Sequence, residues 1–353
     1  MSKKKKRPHP KSFPRGEGLL TFPANEQNPP QTESNSYPSA RQGGAGILII
    51  ALGAPQYGRM AANLASSIRF ADAEVKIHLV WSGASISHLS DKHKALFTSM
   101  SECPAEYYTK PLPKSFPEGE GQGGAKTVFL KAKTCIYELS PFDETIFLDA
   151  DMIWFSNPQK KNASTLFNEL KGTELTFQNR GHFDLRNEKL KEDYSNWCSI
   201  KEVKEKYFAG GIEENKGRFY HLHSEFIYFS RSESNKQFFD LARQIFDEPK
   251  VKPASFDGDI PDELAFDIAV AITGKNPHKE HFRPIHWFAM DGRANLNELQ
   301  HKYYGLSMGG NNLPPAIINR YKMLAKFYAR HFGLPYSFTI EPKKRWSATR
   351  RAA

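Results

Sequence analysis

Asp149 and Asp151 lie one residue apart at the end of the apolar run Thr145-Ile146-Phe147-Leu148. Two carboxylates so spaced offer hard oxygen ligands to a divalent cation, Mg²⁺ or Mn²⁺, and such a cation in turn suits a diphosphate. In open α/β sheets the carboxyl end of a buried strand is where ligands bind. An isolated Asp-x-Asp also occurs by chance in surface turns, so its surroundings decide its meaning.

Other strands must flank the one that delivers this pair. Ile47-Leu48-Ile49-Ile50-Ala51-Leu52 is a continuous apolar run bounded by glycines, as in a central strand covered on both faces. Residues 57–70 carry Met60, Leu64, Ser67 and Ile68 at helical spacing, and residues 75–81 alternate into a second strand, giving a β-α-β opening. His78 falls on the polar phase of that strand and is expected at the surface. Residues 90–100 read as a helix with Ser90 as N-cap, 105–108 as a short strand, 111–124 as a Pro/Gly-rich loop able to order on a ligand, and 127–139 as a helix. Further on, helices are expected over 164–170, 235–246 and 261–272, and strands over 174–177 and 226–229. A last helix should follow Pro314 and Pro315, with Ile318, Tyr321, Leu324 and Tyr328 on one side. The charged, aromatic stretch 180–220 follows neither period.

Composition bounds the class. With 39% hydrophobic and 13% aromatic residues, 353 residues can build a substantial core. No apolar run approaches the roughly 20 residues that cross a bilayer, and the amino terminus lacks the apolar segment of a secretory signal, so a cytoplasmic protein is expected. Cys103, Cys135 and Cys198 are odd in number and widely spaced, which excludes a disulfide framework or zinc cluster and predicts reduced, structural thiols. The net charge of +10 sits in the tails: residues 1–43 contribute +5, residues 343–353 another +5, and the remainder balances 36 basic against 36 acidic residues. These tails are solvated charge, or they attract an anionic acceptor or nucleic acid weakly and in a salt-dependent way.

Gly53-Ala54-Pro55-Gln56-Tyr57-Gly58 fails two familiar tests. A phosphate loop needs Lys then Ser or Thr after its second glycine, where Arg59 and Met60 stand; a dinucleotide turn needs glycine where Pro55 stands. A strand end, a short loop and a tyrosine able to stack on a flat base remain.

At these residues the chain resembles the retaining glycosyltransferases of the glycogenin type. The similarity covers roughly residues 46–310. Ala51-Leu52-Gly53-Ala54-Pro55-Gln56-Tyr57 with Ala62, Leu64 and Ser66-Ser67-Ile68 is similar to the family's first strand, base-stacking tyrosine and following helix. Lys133-Thr134-Cys135-Ile136-Tyr137-Glu138-Leu139 followed by Phe147-Leu148-Asp149-Ala150-Asp151 matches its lysine, aromatic, leucine and Asp-x-Asp in the same spacing. His223-Ser224-Glu225 falls where the family has Asn-Ser-Gly. Asp257 and Asp262-Glu263 resemble an acidic acceptor-side loop and an Asp-Gln pair, with one residue inserted between them. The family's third metal ligand is a histidine before a glycine and Lys-Pro-Trp; here His301 precedes Gly305 by one residue too many, Ser307-Met308-Gly309-Gly310 replaces the rest, and His286 competes for the role.

The resemblance implies a GT-A fold: an α/β, single Rossmann-like domain with a mixed, mostly parallel central sheet over residues 44–310. A disordered basic, Pro-rich tail over 1–43 precedes it, and a helix with a basic tail over 311–353 follows. It further implies a metal-dependent hexosyltransferase-like enzyme using a nucleotide sugar, UDP-linked in the first instance, with Mn²⁺ or Mg²⁺. Asp149, Asp151 and His301 would hold the metal, Lys133 the phosphates, Asp257 and Asp262 sugar hydroxyls, and Leu52, Gly53, Ala54, Tyr57 and Ser224 the nucleotide. Acceptor classes left open are glycan, protein and nucleic acid. The rival from another class is a nucleotide- or nucleic-acid-binding protein without turnover.

Overall fold

The computed structural model describes residues 41–111, 125–156, 162–187, 197–253, 260–287, 295–309 and 315–336. Most of the basic amino-terminal tail, the carboxyl-terminal tail, nearly all of the Pro/Gly-rich loop, and Asp257 lie outside these residues.

The chain opens with β1 (Ala45–Ala51), returns through α1 (Pro55–Ala71) and pairs β2 (Lys76–Trp81) in parallel with β1. The single-turn α2 (Asp91–Lys94) leads to β3 (Ser99–Glu102), and β4 (Thr109–Pro111) pairs antiparallel with β5 (Ala125–Thr127). A 3₁₀ helix, Phe129–Cys135, runs into α3 (Ile136–Leu139) and then β6 (Glu144–Asp149). Beyond it come β7 (Met152–Trp154), α4 (Ala163–Glu169), β8 (Leu175–Asp184), α5 (Ile200–Tyr207), β9 (Arg218–Ser230) and α6 (Glu233–Asp247). The last elements are α7 (Asp262–Thr273), β10 (Ile285–Trp287), α8 (Leu296–Lys302), β11 (Gly305–Ser307) and α9 (Pro315–His331).

The central sheet has six strands in the order β3-β2-β1-β6-β9-β8, with β10-β11-β7 forming a smaller sheet beside it. Strands β3, β2, β1 and β6 are parallel, while β9 is antiparallel to both β6 and β8. The architecture is therefore α/β with a mixed, mostly parallel sheet. Because both faces are covered, neighbouring residues of one strand enter different cores. Ile47, Ile49, Ile146 and Leu148 pack with α1, α9 and the small sheet; Leu48, Phe147, Phe177 and Ile227 pack with α6 and α7. Helix α9 belongs to the first of these cores through Ile317, Tyr321, Ala325 and Tyr328, and Ser67 of α1 accepts the backbone N–H of Trp154 at 2.8 Å.

Several expectations are corrected. His78 is fully buried, because β2 is an interior strand; its two ring nitrogens meet Ser99 and Ser101 at 2.7 and 2.9 Å, and burial pushes its pKa down to about 4. Residues 90–100 form only one α-turn capped by Ser90, since the backbone from Thr98 onward joins the edge of β2. Residues 105–108 begin as a 3₁₀ turn after Pro104 rather than as a strand. Residues 129–135 are 3₁₀ rather than α, in keeping with the Thr134 hydroxyl donating to the Lys131 carbonyl at 2.7 Å and competing with an α ladder. Cys103, Cys135 and Cys198 are all buried.

Gly58 of α1 lies against the turn after β2, where a Cβ would stand 2.0 Å from the Ser85 carbonyl oxygen. Gly58→Ala should lose about 2 kcal/mol or more in urea unfolding despite its better helix propensity. Gly210→Ala, which meets nothing within 4 Å, should stay within about 0.5 kcal/mol of wild type.

Candidate active site

Strand order reverses between β1 and β6: the chain runs outward from β1 to β2 and β3, then returns to place β6 on the other side. Brought into register Ile50 to Asp149, these two strands end beside each other and open a crevice at their carboxyl ends. The β1 end continues as Leu52, Gly53 and Ala54 into Pro55 at the start of α1. Gly53 has φ +79°, donates its N–H to Ser82 Oγ at 3.2 Å, and lies so close to the Phe129 ring that a Cβ would stand 2.6 Å from it. Phe129 is one of three exposed large apolar side chains among the described residues, and its ring centroid lies 5.8 Å from that of Tyr108. Tyr57 sits in the first turn of α1, partly buried against the core.

Lys133 is delivered to the β6 end by the 3₁₀ helix. Its Nζ donates to Asp149 Oδ2 at 2.8 Å and to Ser224 Oγ of β9 at 3.2 Å, and stands 3.4 Å from Asp262 Oδ2 at the start of α7. The Lys133 and Asp149 side chains retain 15% and 26% of their exposure, so the cluster is sheltered but reachable. Burial opposes charge on Lys133, yet Asp149, Asp262 and Glu263 together hold its pKa above the ordinary lysine value. The acids are short of positive charge. Burial pushes Asp149 up even against the pull of Lys133, and burial together with Asp262 pushes Glu263 well up. Asp262, 2% exposed, keeps an Oδ2 that accepts no hydrogen bond.

Asp151 follows in the turn between β6 and β7, where its carbonyl accepts the Met308 N–H at 3.2 Å. Next to this turn is Glu225, 8% exposed, which accepts from Gln178 Nε2 at 2.8 Å and bonds to Ser307 of β11. Burial, with Asp149 and Asp151 adding repulsion, pushes its pKa up to about 8. Gln178 in turn accepts the Ile285 N–H at 3.0 Å, so Glu225 and Gln178 tie the small sheet to the large one beside the Asp151 turn.

Lys133, Asp149, Ser224 and Asp262, expected from sequence to share a site, are thus brought together, and Asp151 lies one turn beyond. His301 is not: it is exposed on α8, a helix that buries only Leu299, and among the described residues no three His, Cys, Asp or Glu side chains come together as a metal would require. His286 lies in β10 with its ring 4.9 Å from that of Tyr303. The sequence reading passed over Phe129 and gave no role to Glu225. A lone acid inside the apolar run after Ser224 was the available signal for the second; nothing local marked the first.

The proposed donors, Asp149 and Asp151, offer only carboxylate oxygens, the hard ligands that suit a divalent cation.

No protein-family profile matches the chain, and no curated protein matches it significantly. Among solved structures, it is similar to the apo bifunctional glycosyltransferase WbbM at 13% identity, covering 84% of this chain and 52% of that one, with a TM-score of 0.49. The chain thus spans about half the length of that protein. It is similar to the galactosyltransferase LgtC, in complex with donor and acceptor sugar analogs, at 14% identity over 80% of this chain and 95% of that one, TM-score 0.46. The Mn/GDP form of core-mannan synthase A from Aspergillus fumigatus aligns at 12% identity over 72% and 75%, TM-score 0.38.

Lys133→Ala should destabilise the protein by about 3 kcal/mol or more in urea unfolding, because it strands Asp149 and Asp262 without their cation. Glu225 gives a pH test. Folded Glu225 keeps its proton where an unfolded glutamate has lost it, so its contribution is fully present below about pH 4.5 and declines as pH rises toward 8. The stability difference between wild type and Glu225→Gln should therefore shift against wild type across that window, by up to about 1.4 kcal/mol per pH unit. A difference that stays flat with pH would contradict the assignment.

Proposed function

We propose that this chain is a GT-A-type glycosyltransferase that moves a sugar from a nucleoside diphosphate donor, with retention at the transferred carbon. The observation that carries this reading is the Lys133-centred cluster of acids at the β1/β6 crevice, where strand order reverses. Asp149 and Asp151 would hold Mn²⁺ or Mg²⁺, whose chemistry is to neutralise charge on the departing diphosphate. With His301 on an exposed turn, two carboxylates are the protein's share; Mg²⁺ commonly takes one or two and completes its shell with phosphates and water.

The chain's own groups divide the remaining work. Lys133 already points a positive charge to the crevice and would donate to the diphosphate as negative charge develops there. Leu52, Gly53, Ala54 and Tyr57 line the strand end where the nucleoside would lie; the absence of a Cβ at Gly53 permits the close approach of Phe129. Ser224 shares Lys133 with Asp149, which fixes the ammonium between β6 and β9. Asp262, whose Oδ2 stands at ion-pair distance from Lys133 but accepts no hydrogen bond, is suited to a sugar hydroxyl, and Asp257 is proposed for the same task.

Asp151→Ala should lower sugar transfer by at least about a thousandfold, the loss of roughly 4 kcal/mol of charge stabilisation, while its thermal unfolding stays near wild type. The check is Mn²⁺-dependent transfer or hydrolysis across a panel of nucleotide sugars. Equal turnover by wild type and Asp151→Ala would defeat the proposal.

A further inference from the structure

Strand β9 presents different residues to its two sides. Ser224 faces Lys133, and Leu222 donates its N–H to Asp267 of α7 at 3.1 Å, whereas Glu225 turns toward Ser307 of the small sheet. On that second side His223 meets Trp287 of β10, ring centroids 5.8 Å apart, and the Arg180 guanidinium of β8 lies 5.2 Å from the centre of the same indole. Gly309 fixes the indole from behind: a Cβ there would stand 1.3 Å from its Nε1. Arg283 completes the group from the segment just before β10. The carbonyl of Phe282, the residue before it, accepts the Asn179 N–H at 3.0 Å, which sets Arg283 beside Arg180, and after burial its charge helps lower the pKa of both Arg180 and His223.

Among the described residues neither arginine has a carboxylate in an ion pair. Glu280, on the segment leading to β10, pairs with His182 at 2.7 Å instead. Glu225 is the acid that favours charge on Arg180, and its carboxyl is engaged by Gln178 and Ser307. Among the described residues, then, two guanidiniums from separate elements, a histidine beside them and an indole converge with no carboxylate ion-paired to either arginine. Such a group costs the fold electrostatic energy unless an anion fills it, and a phosphoryl group, carrying nearly two negative charges and offering forked acceptors, matches two guanidiniums in both respects.

We propose that Arg180, Arg283, His223 and Trp287 form a phosphoryl-binding subsite for the acceptor, so that the acceptor is a phosphorylated sugar or glycan. The assignment rests on the donor reading above, because the donor's diphosphate is given to Lys133, on the Ser224 side of β9, while this cluster lies on the His223 side, toward the small sheet. The indole holds Arg180 across its face and is itself only partly buried, so it can border what the arginines hold.

The test is calorimetric binding of glucose 6-phosphate and of glucose to the full chain saturated with Mn²⁺ and UDP, which occupies the donor side. Glucose 6-phosphate should bind at least tenfold more tightly than glucose, and Arg180→Gln/Arg283→Gln should remove that advantage while UDP affinity stays within twofold. Arg283→Gln alone, at an exposed position, should weaken glucose 6-phosphate several-fold and guards against misfolding of the double variant. Equal binding of the two sugars, or glucose 6-phosphate affinity unchanged in the double variant, would overturn the subsite with UDP binding intact. A tenfold loss of UDP affinity in the double variant would overturn the acceptor assignment, since the arginines would then serve the donor. Failure of wild type to bind UDP at all would strike the donor reading on which the subsite rests.

Discussion

One ammonium group, that of Lys133, is shared by the carboxylates of Asp149 and Asp262 at the end of a buried sheet, with Glu263 close behind. Much of the site follows from this imbalance. Burial makes each negative charge costly, the single lysine offsets part of that cost, and the remainder leaves a demand for further positive charge. On the proposed function, a divalent cation with a diphosphate would meet that demand without new carboxylate neighbours: the cation would offset the acids, and the diphosphate would give Lys133 another acceptor.

The mixed sheet explains why these groups meet. Parallel β1 and β6 bring two strand ends to one edge, and antiparallel β9 brings Ser224 alongside from the opposite direction. Helix α7 starts there with Asp262 and Glu263, where its amino-terminal dipole favours negative charge, and ends at Gly274 in the left-handed conformation. The 3₁₀ helix supplies the last element, lodging Lys131, Ala132, Thr134 and Cys135 in the interior while Lys133 reaches the crevice. Glu225 and Gln178 then lock the small sheet, and with it the Asp151 turn, onto this edge.

Much of this was legible in sequence because the chemistry is local. Apolar runs mark β1 and β6, and the spacing of Asp149 and Asp151 marks the acidic pair, while Lys133, Ser224 and Asp262 are pointed to only by the resemblance to glycogenin-type transferases. Long-range effects were not legible. His78 obeyed a two-residue period that predicts a surface position, but β2 is covered on both sides, so the period carried no information there. The stretch 180–220 follows neither period, yet its ends contribute to the long β8–β9 pair; two register shifts in β8 break the alternation that would reveal it. His301 was placed by analogy with a motif whose spacing the chain departs from, and it sits on an exposed helical turn. The Arg180–Trp287–His223 group draws on three strands and could be seen only once they were assembled.

The central claim is that the Asp149 carboxylate binds a divalent cation jointly with a nucleoside diphosphate. Electron paramagnetic resonance of Mn²⁺, titrated against wild type and Asp149→Asn with and without UDP, tests it most directly. Wild type should bind Mn²⁺ more tightly when UDP is present, and the variant should lose at least tenfold of that affinity. Mn²⁺ affinity that is the same in both proteins, or indifferent to UDP, would contradict the account.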